Sequence, residues 1–492
     1  MTARKTFRTG GLMAALLALA LHGAQAQDAL PAPVRAALDG AGVPADAMHA
    51  IAIPLHWWGR TWAHGADRSV QPASTMKIVT TVVALDRLGP NLRGRTELLS
   101  AAPQDGELLR GDLVLRGGAD PELGWPQLME LLTELRDRGI REIEGDLVLD
   151  RTLFRPARMD LGLPPFDEAP EFRYNVIPDA LLANGNLMGL ELRADATGVQ
   201  ARSVPRLDGI EFGSTMGLVD ARCNDWDDHW LFPQVQDDGR RLRIELRGNF
   251  PRGCTVRTEL QLFERNRLIE LSVRTLWARL GGSWRGGVRE GAAPADARVL
   301  AQRISRPWGE VLRFMNKSSD NALTRLLYLQ LGVPRMKDAP QATTAELAER
   351  EVRAWFAEHG IDDTGMVLDN GSGLTRSERI TPRQLATLIR TALAGRHAHE
   401  LMMSLPTVGV DGTMRNRLKT GPATGWTRLK TGTLRNVVAL AGVVRDGSGR
   451  PWVMAAMVNH DKAGGTRPAL DALVDWIAQG RALPIGPFGE GS

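Results

Sequence analysis

The stretch Pro72-Ala73-Ser74-Thr75-Met76-Lys77, followed by the apolar run Ile78 to Leu88 and by Gly89-Pro90, constrains this chain more than any other. A proline at the start, several turns of apolar residues and a Gly-Pro stop predict one helix running from Ser74. Ser74 and Lys77 lie three apart, so they share one face of its first turn. The positive end of the helix sits there, favouring an oxyanion and disfavouring a charged lysine. A hydroxyl and an amine so placed are the minimum for a serine nucleophile with a lysine base; the alternative is a surface helix start that happens to carry the pattern. Composition bears on that choice, because of 61 basic residues only seven are lysine. Arg keeps its proton inside a protein, whereas Lys can be tuned toward neutrality. A Lys retained at this spacing therefore stands out, although Lys337 and Lys462 show that some are retained without chemical demand.

Residues 1–26 read as a signal peptide: Arg4, Lys5 and Arg8, the short apolar run Leu12 to Leu21, then Ala24-Gln25-Ala26 as a small-x-small cleavage pattern. An uncleaved anchor is the alternative, but the run is too short to span a bilayer. Losing three cations brings the net charge from +4 to nearly neutral. With no basic repeat or charge run, nucleic acid is not an expected partner. Cys223 and Cys254 are the two cysteines. Export permits a disulfide between them, worth ~3–4 kcal/mol in the chain-entropy model; two buried free thiols are the alternative. His397-Ala398-His399 lacks further ligands, and neither H-E-x-x-H nor a Gly-rich phosphate loop occurs, so neither metal nor cofactor is expected.

About 466 residues after cleavage exceed one ordinary core, and two or three domains are expected. Ile51 to Val70, with Trp57-Trp58 and Trp62, reads as a β-hairpin feeding the Ser74 helix. Gly111 to Gly118 reads as a strand, Pro126 to Gly139 as a helix and Ile143 to Leu149 as a strand, a β-α-β unit. Residues 151–180 read as loop. Residues 187–275 read as mostly β, with alternating runs such as Leu242 to Leu246 and Leu268 to Val273. Helices are expected on either side of Asn316 to Asn321, over Thr343–His359, and over Thr381–Ala394 with Thr381 as cap. A tight polar turn is expected over Asp369 to Arg376. Two Lys-Thr-Gly triplets close the chain. Lys419-Thr420-Gly421 precedes Pro422, which cannot join a ladder, so it reads as a decoy. Lys430-Thr431-Gly432-Thr433 lies in the strand-like run Leu429 to Val444, which Asp446 to Gly449 turns back into Trp452–Val458.

The ordered set is then Ser74/Lys77, Ser319-Asp320-Asn321 and Lys430-Thr431-Gly432. S-x-x-K, S-D-N and K-T-G in that order are shared by penicillin-binding proteins and class A β-lactamases. The chain resembles penicillin-binding proteins of the D-alanyl-D-alanine carboxypeptidase/endopeptidase kind, within them the low-molecular-mass class C, type-4 group. The resemblance spans nearly all of the mature chain, including Gly117 to Pro121, Gly145 to Asp150, Asn370 to Arg376 and Val410 to Thr413. The long gap between Ser74 and Ser319 exceeds what a one-domain β-lactamase needs.

The resemblance implies an α/β fold: a transpeptidase/β-lactamase-like domain, an antiparallel sheet flanked by helices, with two nested, mainly β insertion domains. The expected division is 27–96 and 301–492 for the catalytic domain, 97–116 and 182–300 for one insertion, and 117–181 for the other. It implies catalysis by Ser74, Lys77 and Ser319, and substrate binding by Asn321, Lys430, Thr431, Gly432 and Thr433. The backbone N–H groups of Ser74 and Thr433 would form the oxyanion site. Mutual repulsion between Lys77 and Lys430 would help keep Lys77 neutral. Expected partners are peptidoglycan peptides ending in D-Ala-D-Ala or cross-linked through D-Ala, and β-lactam antibiotics, in the periplasm. Two departures stand out: Gly117-Gly118-Ala119-Asp120 in place of three glycines, and Thr324-Arg325 where relatives often carry an acid. A serine β-lactamase is an alternative, but no E-x-x-L-N follows Asn321, and neither tyrosine, Tyr174 nor Tyr328, is followed by x-Asn. A non-catalytic penicillin-recognising cell-wall protein is another; the intact Ser74, Lys77 and Lys430 argue against it.

Overall fold

The computed structural model describes residues 29–55 and 60–480. The expected signal peptide and Trp57-Trp58 lie outside the described residues.

A five-stranded antiparallel sheet carries the architecture, in the order Arg428–Leu434, Val437–Arg445, Pro451–Asn459, Met48–Pro54, Trp62–His64. Its central strands are buried along nearly their whole length, as strands covered on both faces must be. The side-chain alternation of a strand sorts them into two cores. Ala439, Ala441, Val443, Ala455 and Met457 face one core, with Ile78, Val83, Leu326 and Trp355 from the helices Lys77–Arg87, Asn321–Gly332 and Thr344–Glu358. Val438, Leu440, Val444, Met454 and Ala456 face the other, against the helices Ala32–Gly40 and Arg467–Ala478. This is the transpeptidase/β-lactamase-like arrangement. The run read as Leu429 to Val444 is itself two strands, because Arg435-Asn436 turns it into a hairpin.

Local chemistry sets the helix limits. Thr343 and Thr381 each close a capping box, with Glu346 and Gln384 respectively. The predicted Ser74 helix starts as a short 3₁₀ turn, Ala73–Met76, and becomes α-helical at Lys77.

The insertion lies between strands Arg95–Ser100 and Arg298–Ile304, which pair with each other. They belong to a second five-stranded sheet with Leu113–Gly118, Leu147–Asp150 and Val288–Glu290. The helices Trp125–Asp137 and Arg265–Arg279 pack on it through Leu131, Leu135, Val273 and Trp277. Strands between Met188 and Leu260 form a separate β unit around Leu192, Ile244, Leu246 and Phe250. This grouping differs from the expected division into 97–116 with 182–300 and 117–181: the strand Leu113–Gly118 runs through that boundary and pairs on both sides. Texture changes mark loops, whereas unit membership follows which apolar face a strand completes. Leu268 to Val273, read as a strand, is helical; Glu264 caps it through the Asn266 and Arg267 N–H groups.

Cys223 and Cys254 are disulfide-bonded, with Cα atoms 5.6 Å apart, inside this β unit.

Candidate active site

Ser74 sits at the edge of the 3₁₀ turn and remains partly exposed, while Thr75, Met76 and Lys77 beside it are buried. The turn is reached through a strained residue, Ala73, with φ 46°. Two glycines make room for it. A Cβ on Gly373 would stand 1.9 Å from the Ala73 carbonyl oxygen, and one on Gly432 2.8 Å from that of Pro72 and 3.1 Å from the Ser74 nitrogen. Further back, the Asn459 side chain accepts from the Gln71 N–H at 2.8 Å and donates to its carbonyl at 3.0 Å.

The Lys77 amine is fully buried. It contacts Ser74 Oγ at 3.1 Å, and donates to Asn321 Oδ1 at 2.6 Å and to the Ser372 carbonyl at 2.5 Å. Burial lowers its pKa to about 7; Asp320 and Glu378 push it up and Arg325 pushes it down. A neutral amine has two N–H bonds and one lone pair. The two carbonyl acceptors take the N–H bonds, which leaves the lone pair for the Ser74 hydroxyl.

Ser319 closes the helix Trp308–Ser318 in the left-handed conformation, φ 60°. Its hydroxyl accepts from Lys430 Nζ at 2.8 Å. Lys430 is also buried, and its amine donates to the Thr431 carbonyl at 2.8 Å. Its pKa is well below the usual lysine value, through burial first and the charge of Lys77 second. Desolvation therefore outweighs the mutual repulsion expected from the sequence. Asp320 caps the next helix by accepting from the Leu323 N–H at 2.9 Å, so the S-D-N segment is both a helix start and part of this cluster. Thr431 Oγ1 meets Thr413 Oγ1 at 2.8 Å, and Thr433 is exposed at the strand's outer end. The structure thus brings the Ser74, Ser319 and Lys430 motifs together, linked by the hydrogen bonds of Lys77 to Ser74 and Asn321 and of Lys430 to Ser319. Lys419-Thr420-Gly421 lies in an exposed turn outside any strand.

Three contributors have no motif of their own. The segment 171–176, read only as loop, brings the Tyr174 carbonyl to Asn321 Nδ2 at 2.9 Å and Arg173 to Asp320 at 3.2 Å. Ser372 supplies a backbone carbonyl, which any residue carries. Glu378 is buried and bonds only backbone N–H groups. The polar turn expected over Asp369 to Arg376 holds Ser372 but gives no sign of its role, and Glu378 lies just beyond it. Among the described residues no cluster of His, Cys, Asp and Glu suits a metal ion.

The family model described as the D-Ala-D-Ala carboxypeptidase 3 (S13) family matches residues 45–479. A carboxypeptidase of Mycobacterium tuberculosis is 33% identical over 432 residues, covering 84% of this chain and 76% of its own. The D-alanyl-D-alanine carboxypeptidase DacB of Haemophilus influenzae is 27% identical over 399 residues, covering 80% of this chain and 81% of its own. The crystal structure of penicillin binding protein 4 from the same organism superposes with a TM-score of 0.72 at 24% identity, covering 87% of this chain and 96% of that one. With the fold, the site and these matches in agreement, the chain belongs to the D-Ala-D-Ala carboxypeptidase 3 (S13) family of serine peptidases.

Proposed function

We propose that Ser74 is the nucleophile of a D-Ala-D-Ala peptidase that acts on peptidoglycan stem peptides through an acyl-enzyme. The observation that carries this reading is the Lys77 amine: buried, tuned to about 7, with two carbonyls on its N–H bonds and Ser74 at 3.1 Å. Lys77 takes the Ser74 proton as Oγ attacks the carbonyl of the penultimate D-alanine. The oxyanion lies between the backbone N–H groups of Ser74 and Thr433; such donors lower a barrier by roughly 3–4 kcal/mol each. The close approach of Gly432 to Ser74 supports that pairing. Ser319, bonded to Lys430, relays a proton to the leaving group. Asn321 holds the substrate amide, and Lys430 with the Thr431 and Thr433 hydroxyls holds the terminal carboxylate. Water then hydrolyses the ester, releasing the shortened peptide as a carboxylic acid and restoring the Ser74 hydroxyl. Cleavage after D-alanine releases free D-alanine in the carboxypeptidase reaction and, in the endopeptidase reaction, the amine of the neighbouring stem that the cut bond had cross-linked.

β-Lactams enter the same path and stop at the acyl-enzyme. The two carboxylates whose charge reaches Lys77 are both engaged: Asp320 by Leu323 and Arg173, and Glu378 by the loop. Neither is free to activate a deacylating water as a class A β-lactamase requires. The work is periplasmic, after cleavage following Ala26; among the described residues no helix is long and apolar enough to cross a membrane.

The test is intact-protein mass after incubation with benzylpenicillin, for wild type and Ser74→Ala, alongside D-alanine release from a D-Ala-D-Ala peptide. One adduct on wild type alone, with D-alanine released, supports the reading. Rapid loss of the drug without an adduct would make the chain a β-lactamase. Neither adduct nor drug loss would favour the non-catalytic alternative.

A further inference from the structure

Glu378 is a carboxylate 1% exposed that the mechanism above does not use, and among the described residues no lysine or arginine forms an ion pair with it. Its Oε1 accepts from the N–H groups of Asp369 (3.2 Å), Asn370 (3.0 Å) and Gly371 (2.7 Å), and its Oε2 from Gly373 (2.9 Å). The loop so wrapped is the one that touches the nucleophile's surroundings. It gives the Ser372 carbonyl to Lys77, the Gly371 carbonyl to Thr80 on the same helix at 2.7 Å, and the bare α-carbon of Gly373 to the Ala73 carbonyl. From the other side, Arg325 on the Asn321–Gly332 helix donates to the Leu374 carbonyl at 3.2 Å, and its buried Nε has no hydrogen-bond partner among the described residues.

We infer that Glu378, buried, and Arg325, partly buried, are positioning residues for Lys77: Glu378 binds the N–H groups of the Asp369–Leu374 loop and Arg325 its Leu374 carbonyl, so that together they hold the loop around the amine and bring opposite charges to bear on it. Neither touches substrate. The inference rests on Lys77 acting as the base for Ser74. The groups that face this pair are Asp369 on the loop, Tyr328 on the helix bearing Arg325, and Lys77, beyond which lie Asp320 and Lys430. Glu378 has a raised pKa through burial, opposed by its N–H donors, while burial lowers that of Arg325. The signs for Lys77 are opposite: the Glu378 charge favours the ammonium and the Arg325 charge favours the amine.

The test is the benzylpenicillin acylation rate as a function of pH for wild type, Glu378→Gln, Arg325→Met and Ser74→Ala, with unfolding midpoints measured in parallel. Glu378→Gln keeps one acceptor oxygen but sets an NH₂ group against a backbone N–H. Its plateau rate is expected to fall about tenfold to a hundredfold, the cost of a small misplacement, and its acidic limb to move to lower pH. Arg325→Met is expected to move the limb to higher pH. Opposite shifts support the pair. Folded variants with unmoved limbs, whatever their plateau rates, overturn it and leave Glu378 as a loop anchor only. If Glu378→Gln does not fold, Arg325→Met decides alone, an upward shift supporting and no shift overturning. An adduct on Ser74→Ala would instead remove the nucleophile assignment on which the inference stands.

Discussion

At the scale of single residues, the site is made by close approach and by burial. Gly432 lets the Lys430 strand lie against the Ser74 turn; a Cβ there would meet backbone at 2.8 Å and Ala73 Cβ at 3.0 Å. Gly432→Ala is expected to slow benzylpenicillin acylation about a hundredfold, as a displaced reactive geometry does, while the denaturant midpoint barely moves. A wild-type rate in a mass time course would show that this contact is not needed. Burial acts on Lys77. Its lowered pKa favours the neutral amine, so the proposed base is protonated below about 7 and neutral above it. The acylation rate of wild type should rise with pH, pass half-maximum near 7 and level off; a flat profile across that range would remove Lys77 as the base. The lysine spacing that points to this chemistry is plain in the sequence, because side chains of rare type stand at fixed offsets. Glu378 and Ser372 are not, because Glu378 binds backbone N–H groups and Ser372 acts through its own backbone carbonyl, and almost any residue supplies such groups.

At the scale of elements, several helix starts are written in side chains that bond their own backbone. Thr343 accepts from the Glu346 N–H at 3.2 Å, while Glu346 returns a bond to the Thr343 N–H at 2.8 Å. Thr343→Ala should lower unfolding stability by about 1 kcal/mol, the usual worth of a cap, as read from urea titration. Acylation should be unchanged, since this helix meets the site only through the core. Where side chains serve two readings, the sequence misleads. Leu268, Ile269, Leu271 and Val273 fit an alternating strand over six residues, yet with Leu276 and Trp277 they make the buried side of a helix. The period becomes distinguishable only beyond the window that suggested a strand. Likewise the Leu429–Val444 run hides a two-residue turn at Arg435-Asn436, neither of which is glycine or proline.

At the scale of the whole molecule, a catalytic body assembled from both ends of the chain carries an insertion whose outer unit is α/β and whose inner unit is β. The motif order announces the body. It does not announce how the insertion divides, since strand partners are chosen by burial across distant segments. The inner unit approaches the site through Arg173, which pairs with both Glu259 on the β unit and Asp320 beside Ser319. That bridge is half-exposed, and exposed ion pairs contribute at most about 1 kcal/mol. The disulfide lies in the same unit and spans 31 residues. Replacing both Cys223 and Cys254 by Ala should therefore destabilise the β unit by ~3–4 kcal/mol in the chain-entropy model, yet transmit little to Ser74. Calorimetry should show an early transition that wild type lacks, and adduct formation with benzylpenicillin well below that transition should stay within about twofold, the effect of a weakened surface contact. If acylation falls together with the early transition, the bridge through Arg173 couples the insertion to the nucleophile far more tightly than an exposed ion pair can. The segment 171–176, with its Tyr174 carbonyl on Asn321, would then be the element carrying that coupling.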